Sequence, residues 1–148
     1  MESPKITWQI KKKKDSSYKE ETDYFAGVYN QKNNIDLEII LWNNRYGLER
    51  VEDLKSFAIS VTFDTLEDST LLKYTTLTFD KNIIYPTINE CVATFVIPEN
   101  YILSGKTNDG SLDAVDNYAY MELSISIPPV YKLKPNDYKT LSLDVINI

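Results

Sequence analysis

The sequence predicts an all-β fold, an antiparallel β-sandwich of about eight strands. Apolar and polar residues alternate repeatedly along the chain, which is typical of strands that bury one face. Eleven tyrosines, together with many Ile, Val and Thr residues, favour strands over helices. A chain of 148 residues, 43% of them hydrophobic, is long enough to bury the core of one domain.

The N-terminal part looks less regular than the rest of the chain. Alternation over residues 6–10 predicts a first strand, and residues 24–29 predict a short second one. We expect residues 1–34 to form an N-terminal arm with these short strands, which docks on a neighbouring molecule. Residues 35–148 are expected to form the sandwich.

Residues 35–63 predict two strands with a short helix between them. Alternating Ile and Leu at 35–41 give a strand with one apolar face, and Ile40 and Trp42 partly cover its other face. Val51 and Leu54 lie three apart among charged residues, which predicts about two helical turns within residues 49–55. Residues 57–63 show the clearest alternation of the chain, with small residues on the second face.

Four further stretches of alternation predict the remaining strands. Residues 72–79 are rich in Thr and are expected to form a long hairpin with residues 57–63. Strands are also expected at residues 91–97, 118–127 and 141–145. Strands at these spacings fit two packed antiparallel sheets with an immunoglobulin-like or a jelly-roll arrangement.

Charge is distributed unevenly along the chain. Residues 1–20 contain six lysines and three acidic residues, whereas the remainder contains ten basic and nineteen acidic residues. An acidic body repels phosphate backbones, so we expect no nucleic-acid binding by the folded part. The exception is a Lys-rich run that is either a basic arm, contacting nucleic acid or an acidic neighbour, or a solvated loop. It consists of Lys11, Lys12, Lys13 and Lys14.

The composition excludes most catalytic machinery. The chain has no His, which rules out Ser-His-Asp and Cys-His arrangements and His-based zinc sites. Its single cysteine, Cys91, is expected to be a small buried residue rather than a nucleophile. A glycosidase needs only two carboxylates across a cleft. However, the adjacent pairs Glu52–Asp53 and Glu67–Asp68 are expected to be solvated turn residues, so we predict that the protein is not an enzyme.

Residues 108–117 carry a hint of a calcium site, because their side chains are rich in oxygen. The candidate ligands are Asp109, Asp113 and Asp116. Placing Gly110 at the sixth position of an EF-hand loop puts Gly105 and Thr107 where carboxylates should stand. We therefore expect a flexible surface loop here, with no metal and no cofactor.

Aromatic side chains offer a second route to function. Exposed Tyr and Trp residues can stack on sugar rings or anchor a protein partner. The candidates are Trp42, Tyr46, Tyr101, Tyr118 and Tyr120. The alternative is that these side chains fill the core, as aromatic residues in a sandwich of this size commonly do.

One stretch resembles a known class of proteins. Residues 72–105 combine a Thr-rich strand, an Asp-Lys-Asn turn, a second strand ending in Val96-Ile97-Pro98, and a following Leu103-Ser104-Gly105. In this layout the stretch resembles the sandwich modules of bacteriophage baseplate and tail proteins. The bias toward Asn, Lys, Ile and Tyr is typical of AT-rich coding sequences, as in phages of low-GC bacteria.

The resemblance implies a non-enzymatic structural component of a phage virion, in a tail, collar, baseplate or capsid shell. Its partners would be other copies of itself and neighbouring virion proteins, bound through the arm and strand edges. No membrane partner is expected, since no apolar run approaches about 20 residues. Residues 1–4 lack the features of a secretory signal, so we expect synthesis in the host cytoplasm. The alternative function is that of a carbohydrate-binding β-sandwich module that uses the exposed aromatic residues.

Overall fold

Two antiparallel sheets make up the protein. The computed structural model describes residues 1–20, 23–28, 35–63, 68–126 and 138–148. Within these residues ten strands form two five-stranded sheets, in which all paired strands are antiparallel. The predicted all-β antiparallel sandwich is confirmed, with two short edge strands beyond the eight expected.

Each sheet combines strands from distant parts of the chain. Sheet I contains, in spatial order, β1 (Ile6–Lys12), β3 (Ile35–Asn43), β9 (Tyr118–Ile125), β5 (Thr75–Phe79) and β6 (Asn82–Ile84). Sheet II contains β2 (Asp23–Val28), β10 (Tyr138–Asn147), β4 (Phe57–Phe63), β8 (Val92–Val96) and β7 (Thr87–Asn89). The two additional strands are β6 and β7, one at an edge of each sheet.

The pairing pattern has the form of a jelly roll. β5 pairs with β6 across a two-residue turn, and pairing then continues outward along the chain, β4 with β8, β3 with β9, and β2 with β10. The chain is thus one long hairpin whose two arms are rolled up together, and successive pairs alternate between the sheets. Of the two arrangements that the sequence left open, this order is the jelly roll.

The core lies between the sheets, where alternation places every second side chain of a strand. Leu37, Ile39 and Leu41 of β3 belong to one buried cluster with Ile59 and Val61 of β4, and none of the five is more than 1% exposed. Burying an aliphatic side chain of this size stabilises the fold by roughly 1.5–3 kcal/mol. The apolar alternation read from the sequence therefore marks the faces that hold the sheets together.

The N-terminal segment contributes a strand to each sheet. β1 pairs with β3, and β2 pairs with β10. Trp8 and Ile10 of β1 are buried in the core. The described part of the expected arm thus extends the sandwich, while its docking on a neighbouring molecule stays a prediction. Residues 21–22 and 29–34 of this segment lie outside the described residues.

The predicted helix within residues 49–55 is wrong. That stretch is a loop in which Val51 and Leu54 are buried, and Leu54 forms an isolated antiparallel bridge with Leu103. The spacing of three residues arises because the loop turns two apolar side chains toward the core. In the part of the chain that the structure describes, no helix is long and apolar enough to cross a membrane.

The predicted hairpin between residues 57–63 and 72–79 is also wrong. β4 lies in sheet II and β5 lies in sheet I, and a 3₁₀ helix, Asp68–Tyr74, leads into β5. Leu71 and Leu72 in this helix are fully buried. Burial of these leucines anchors the start of β5 in the core, and β5 enters the sheet opposite to that of β4.

Two smaller differences concern strand ends. Cys91, expected inside a buried strand, is half-buried in the turn before β8. β9 ends at Ile125, and residue 127, expected in the same strand, lies outside the described residues.

Three buried asparagines fasten the loop between β8 and β9 to the end of β3. They are Asn43, Asn44 and Asn117. The Asn43 side-chain oxygen accepts a hydrogen bond from the Lys5 N–H at 3.0 Å. Its Nδ2 donates to the carbonyls of Glu52 and Leu103, at 3.0 and 3.1 Å. One amide thus joins the N-terminus, the 49–55 loop and the loop that follows β8.

The other two asparagines hold the same loop from either side. Asn44 Nδ2 donates to the Gly105 carbonyl at 2.9 Å. Asn117 Nδ2 lies 2.9 Å from the carbonyls of Ser104 and Lys106. Because buried carbonyls are costly without partners, these amides fix the path of a loop that has little regular structure.

We expect Asn43→Ala to lower the free energy of unfolding by about 3 kcal/mol, since three hydrogen bonds of roughly 1 kcal/mol each are lost and buried backbone groups are left unpaired. Urea denaturation followed by tryptophan fluorescence measures the change. The matched control is Asn82→Ala, because Asn82 is exposed and its side chain donates to the Asp80 carbonyl. Equal losses in the two variants would contradict the role of Asn43.

Candidate functional site

A cleft of about 460 Å³ opens beside sheet I, where β5 turns into β6. The turn, the first residues of β9 and the loop between β8 and β9 form its walls. Three tyrosines and three charged residues line it, namely Tyr101, Tyr118, Tyr120, Asp80, Lys81 and Glu122. The volume falls within the roughly 300–1,000 Å³ that is usual for small-molecule sites.

Packing holds two of the tyrosine rings in place. The Tyr101 ring lies edge-on against Phe79, with the ring centroids 4.5 Å apart. The Tyr118 ring lies against Trp42, with the centroids 4.8 Å apart, and its hydroxyl donates to the Leu112 carbonyl at 2.8 Å. A ligand would therefore meet rings that are already positioned, which lowers the entropy cost of binding.

A polar network on the outer face of sheet I reaches the wall of the cleft. The strand register places Glu38 of β3 opposite Glu122 of β9. The Tyr120 hydroxyl donates to Glu122 Oε1 at 3.1 Å. Glu38 Oε2 lies 3.0 Å from Lys11 Nζ and accepts a hydrogen bond from the Tyr18 hydroxyl at 3.3 Å. The two neighbouring carboxylates are thus surrounded by donors from Lys11, Tyr18 and Tyr120, which offsets their repulsion.

The surroundings shift the pKa values of several of these groups. Burial raises the pKa of Tyr18 to about 12, and the charge of Glu38 acts in the same direction. Burial is also the main cause that raises the pKa of Tyr120 and of Tyr101, with nearby carboxylates adding to it. Burial opposes ionisation of Glu38, but hydrogen bonds from Lys11 and two tyrosines outweigh it and lower the Glu38 pKa. The tyrosines therefore stay neutral hydrogen-bond donors above the pH at which an exposed tyrosine ionises.

The backbone of the turn at the cleft is strained. Asp80 and Lys81 both have positive φ, 48° and 67°. Two-residue hairpin turns of this kind usually contain Asn-Gly or Asp-Gly. A lysine in the left-handed region costs about 1 kcal/mol. Tyr46, Ser56 and Glu90 also have positive φ and do not line the cleft, so this conformation reflects the turn and does not by itself locate the site.

The structure brings together three of the five aromatic residues selected from the sequence, Tyr101, Tyr118 and Tyr120. Trp42 is fully buried, so it packs as the alternative reading expected and does not offer a surface for binding. Tyr46 is 59% exposed but does not line the cleft.

An arginine stack lies next to the cleft residues. The guanidinium of Arg45 lies over the rings of Trp42 and Tyr46, 5.0 and 4.7 Å from their centroids. Its Nε donates to the Gly110 carbonyl at 3.2 Å. A Cβ at Gly110 would lie 2.1 Å from the Tyr46 ring, so only glycine allows this close approach.

The three candidate calcium ligands do not come together. Asp109 accepts a hydrogen bond from the Ser111 N–H at 3.0 Å, which lowers the pKa of its carboxyl. Asp116 pairs with Lys106 at 2.9 Å, and Asp113 is exposed. Among the described residues no group of three or more acidic or cysteine side chains is placed to hold a metal ion.

The Lys-rich run is divided between a strand and a turn, so the expectation of one basic arm or one solvated loop needs correction. Lys11 and Lys12 belong to β1, and the Lys11 charge is engaged by Glu38. Lys13 Nζ lies 3.7 Å from the Glu122 carboxylate, and Lys14 is exposed in the turn. Lys11 and Lys12 are both half-buried, because the methylene groups of long side chains can cover the surface of a sheet.

The adjacent acidic pairs do not form a carboxylate site in the described residues. Glu52 is exposed, and Asp53 accepts a hydrogen bond from the Gly105 N–H at 2.9 Å. Glu67 lies outside the described residues. The acids that the structure does bring together, Glu38 and Glu122, were missed. They lie at outward positions of two predicted strands, but only the strand register shows that they are opposite each other.

No family model, curated protein or solved structure matches this chain.

The raised pKa of Tyr18 predicts a loss of stability at alkaline pH. The folded protein holds the Tyr18 proton more tightly than the unfolded chain, whose tyrosines titrate near pH 10. This stabilisation is complete below pH 10 and is lost as the pH rises toward about 12. We expect a shallower alkaline decline in the free energy of unfolding for Tyr18→Phe than for the unmodified protein. The control is Tyr85→Phe at a side chain that is 72% exposed. Parallel pH profiles for the protein and Tyr18→Phe would contradict the prediction.

Proposed function

We propose that the protein is a non-enzymatic β-sandwich module that binds carbohydrate in the tyrosine-lined cleft. The observation that carries this proposal is the convergence of Tyr101, Tyr118 and Tyr120 on one cleft that also contains carboxylates. Tyr101 comes from the loop after β8, whereas Tyr118 and Tyr120 come from β9, so folding rather than sequence proximity assembles the group.

The chemistry of this lining suits a sugar. Aromatic rings present flat apolar faces to the C–H face of a pyranose, and tyrosine adds a hydroxyl. Asp80 and Glu122 supply acceptors for sugar hydroxyls. The fold is compatible, because jelly rolls include lectin domains as well as viral capsid domains. Since one fold serves many functions, the argument rests on the site.

Glu38, which lies opposite Glu122 in sheet I, is not a suitable proton donor for glycoside hydrolysis. A glycosidase needs one carboxyl whose pKa is raised, so that it can protonate the leaving group. Hydrogen bonds from Lys11 and two tyrosines lower the pKa of Glu38 instead. The sequence also contains no His that could serve as the proton donor.

The first test is a glycan array probed with the labelled protein, followed by calorimetry on the sugars that bind. We expect Tyr120→Ala to weaken binding by about tenfold or more, because a stacking surface in the cleft is removed. Tyr120→Phe keeps the ring and should lose less. Tyr85→Ala is the matched control, since Tyr85 is exposed and does not line the cleft. Absence of binding to any glycan would overturn the proposal.

One further feature favours a second candidate function, a structural role in a phage virion. Ile83 in β6 and Ile88 in β7 are 59% and 41% exposed, and Tyr85 between the two short edge strands is 72% exposed. Edge strands with exposed apolar side chains are a template for pairing with another chain. Assembly would join copies of the protein to each other and to neighbouring virion proteins, after synthesis in the host cytoplasm.

Light scattering at increasing protein concentration tests this role. We expect a mass above that of the monomer, and a return to monomer when Ile83 and Ile88 are both replaced by lysine, since charged edges block strand pairing. Ile148→Lys, at a residue that is 70% exposed outside these edges, is the control. Deleting residues 1–34 would not test self-assembly, because the deletion removes β1 and β2 from the sheets and so disturbs the fold. A monomer at every concentration would argue against self-assembly.

A further inference from the structure

The tyrosine-lined cleft has a negative electrostatic character. Asp80 and Glu122 line it, and the charges of Asp80 and Asp116 both act on Tyr101 from nearby. The protein as a whole has a formal net charge of −6. Field lines from such a surface concentrate in clefts and attract cations.

The cationic group in the cleft lining, Lys81, is placed at the end of an exposed turn. Lys13, which approaches Glu122, is itself 58% exposed at a distance of 3.7 Å, so water screens this pair strongly. The lining thus contains two carboxylates, Asp80 and Glu122, and one ammonium, so it keeps an excess of negative charge.

We propose that the cleft prefers glycans built from cationic amino sugars, such as glucosamine, over neutral sugars of the same linkage. This inference rests on the proposed carbohydrate site and names its ligand class. An ammonium group at the sugar C2 position can lie over a tyrosine face, where the ring quadrupole attracts it. The same group can donate charge-assisted hydrogen bonds to Glu122 or Asp80, which a neutral hydroxyl makes less strongly.

The neutral state of the tyrosines fits this ligand class. Burial and neighbouring carboxylates raise the pKa of Tyr101 and Tyr120, so both hydroxyls remain protonated while an amino sugar titrates. The pH dependence of binding should then follow the ligand ammonium. Binding should also weaken as salt is added, because the cleft is open to solvent and its charges are screened.

The test compares three β-1,4-linked oligosaccharides of equal length, made of glucosamine, N-acetylglucosamine or glucose. They share one backbone and differ at C2, which carries an ammonium, an acetamide or a hydroxyl. We expect calorimetry to show about tenfold tighter binding of the glucosamine oligomer at low salt. Equal affinity for all three would overturn the amino-sugar inference and leave the carbohydrate site standing. If none of the three oligosaccharides binds, the proposed carbohydrate-binding function fails together with the amino-sugar inference.

Two variants test whether the charge of the cleft lining, rather than its shape, determines the preference for glucosamine. Glu122→Gln keeps the size of the side chain, and we expect it to lower the affinity for the glucosamine oligomer while changing that for the glucose oligomer little. Lys81→Gly removes a cation and introduces the residue that the positive φ favours, so the turn is retained. We expect it to strengthen glucosamine binding. An unchanged glucosamine preference in both variants would overturn the inference, and Tyr85→Ala serves as the control for surface changes.

Discussion

Three buried asparagines, two at the end of β3 and one immediately before β9, are the constraint on which the rest of this structure depends. The loop between β8 and β9 has little regular structure, so its carbonyls need side-chain donors as partners. Asn43, Asn44 and Asn117 supply these partners as amide donors. An aspartate at any of the three positions would replace donors with acceptors and repel the same carbonyls. Since Tyr101 lies in this loop, the amides that stabilise the fold also position the cleft.

The strands could be predicted from the sequence, but their partners could not. Alternation reports which face of a strand is buried, and this held for β5, β8 and β9, whose buried residues alternate with more exposed ones, because burial is the dominant stabilising term. It carries no information on the neighbouring strand, so β4 and β5 read as a hairpin although they lie in opposite sheets. The helix prediction for residues 49–55 failed for a related reason. Two buried side chains three residues apart satisfy a helical pattern and a turning loop equally well.

The cleft could be predicted in part. The sequence shows that Tyr101, Tyr118 and Tyr120 are candidates for binding, because aromatic residues near turns are often accessible. It does not show that Glu38 and Glu122 are neighbours, since that depends on the register of β3 against β9. The sequence also does not show that Trp42 is buried whereas the three tyrosines line the cleft. Trp42 lies beneath Arg45 and is fully buried, which depends on a contact with a residue outside its strand.

The position of β10 has a consequence for how the chain folds as it is synthesised. β10 lies between β2 and β4 in sheet II, and in the described residues β2 pairs with β10 alone. Until residues 138–147 have left the ribosome, β2 lacks a partner and β4 exposes an open edge. Contacts between such distant segments make folding slow, and open edges are prone to aggregate. A nascent chain that stalls before β10 is therefore a natural client for a chaperone.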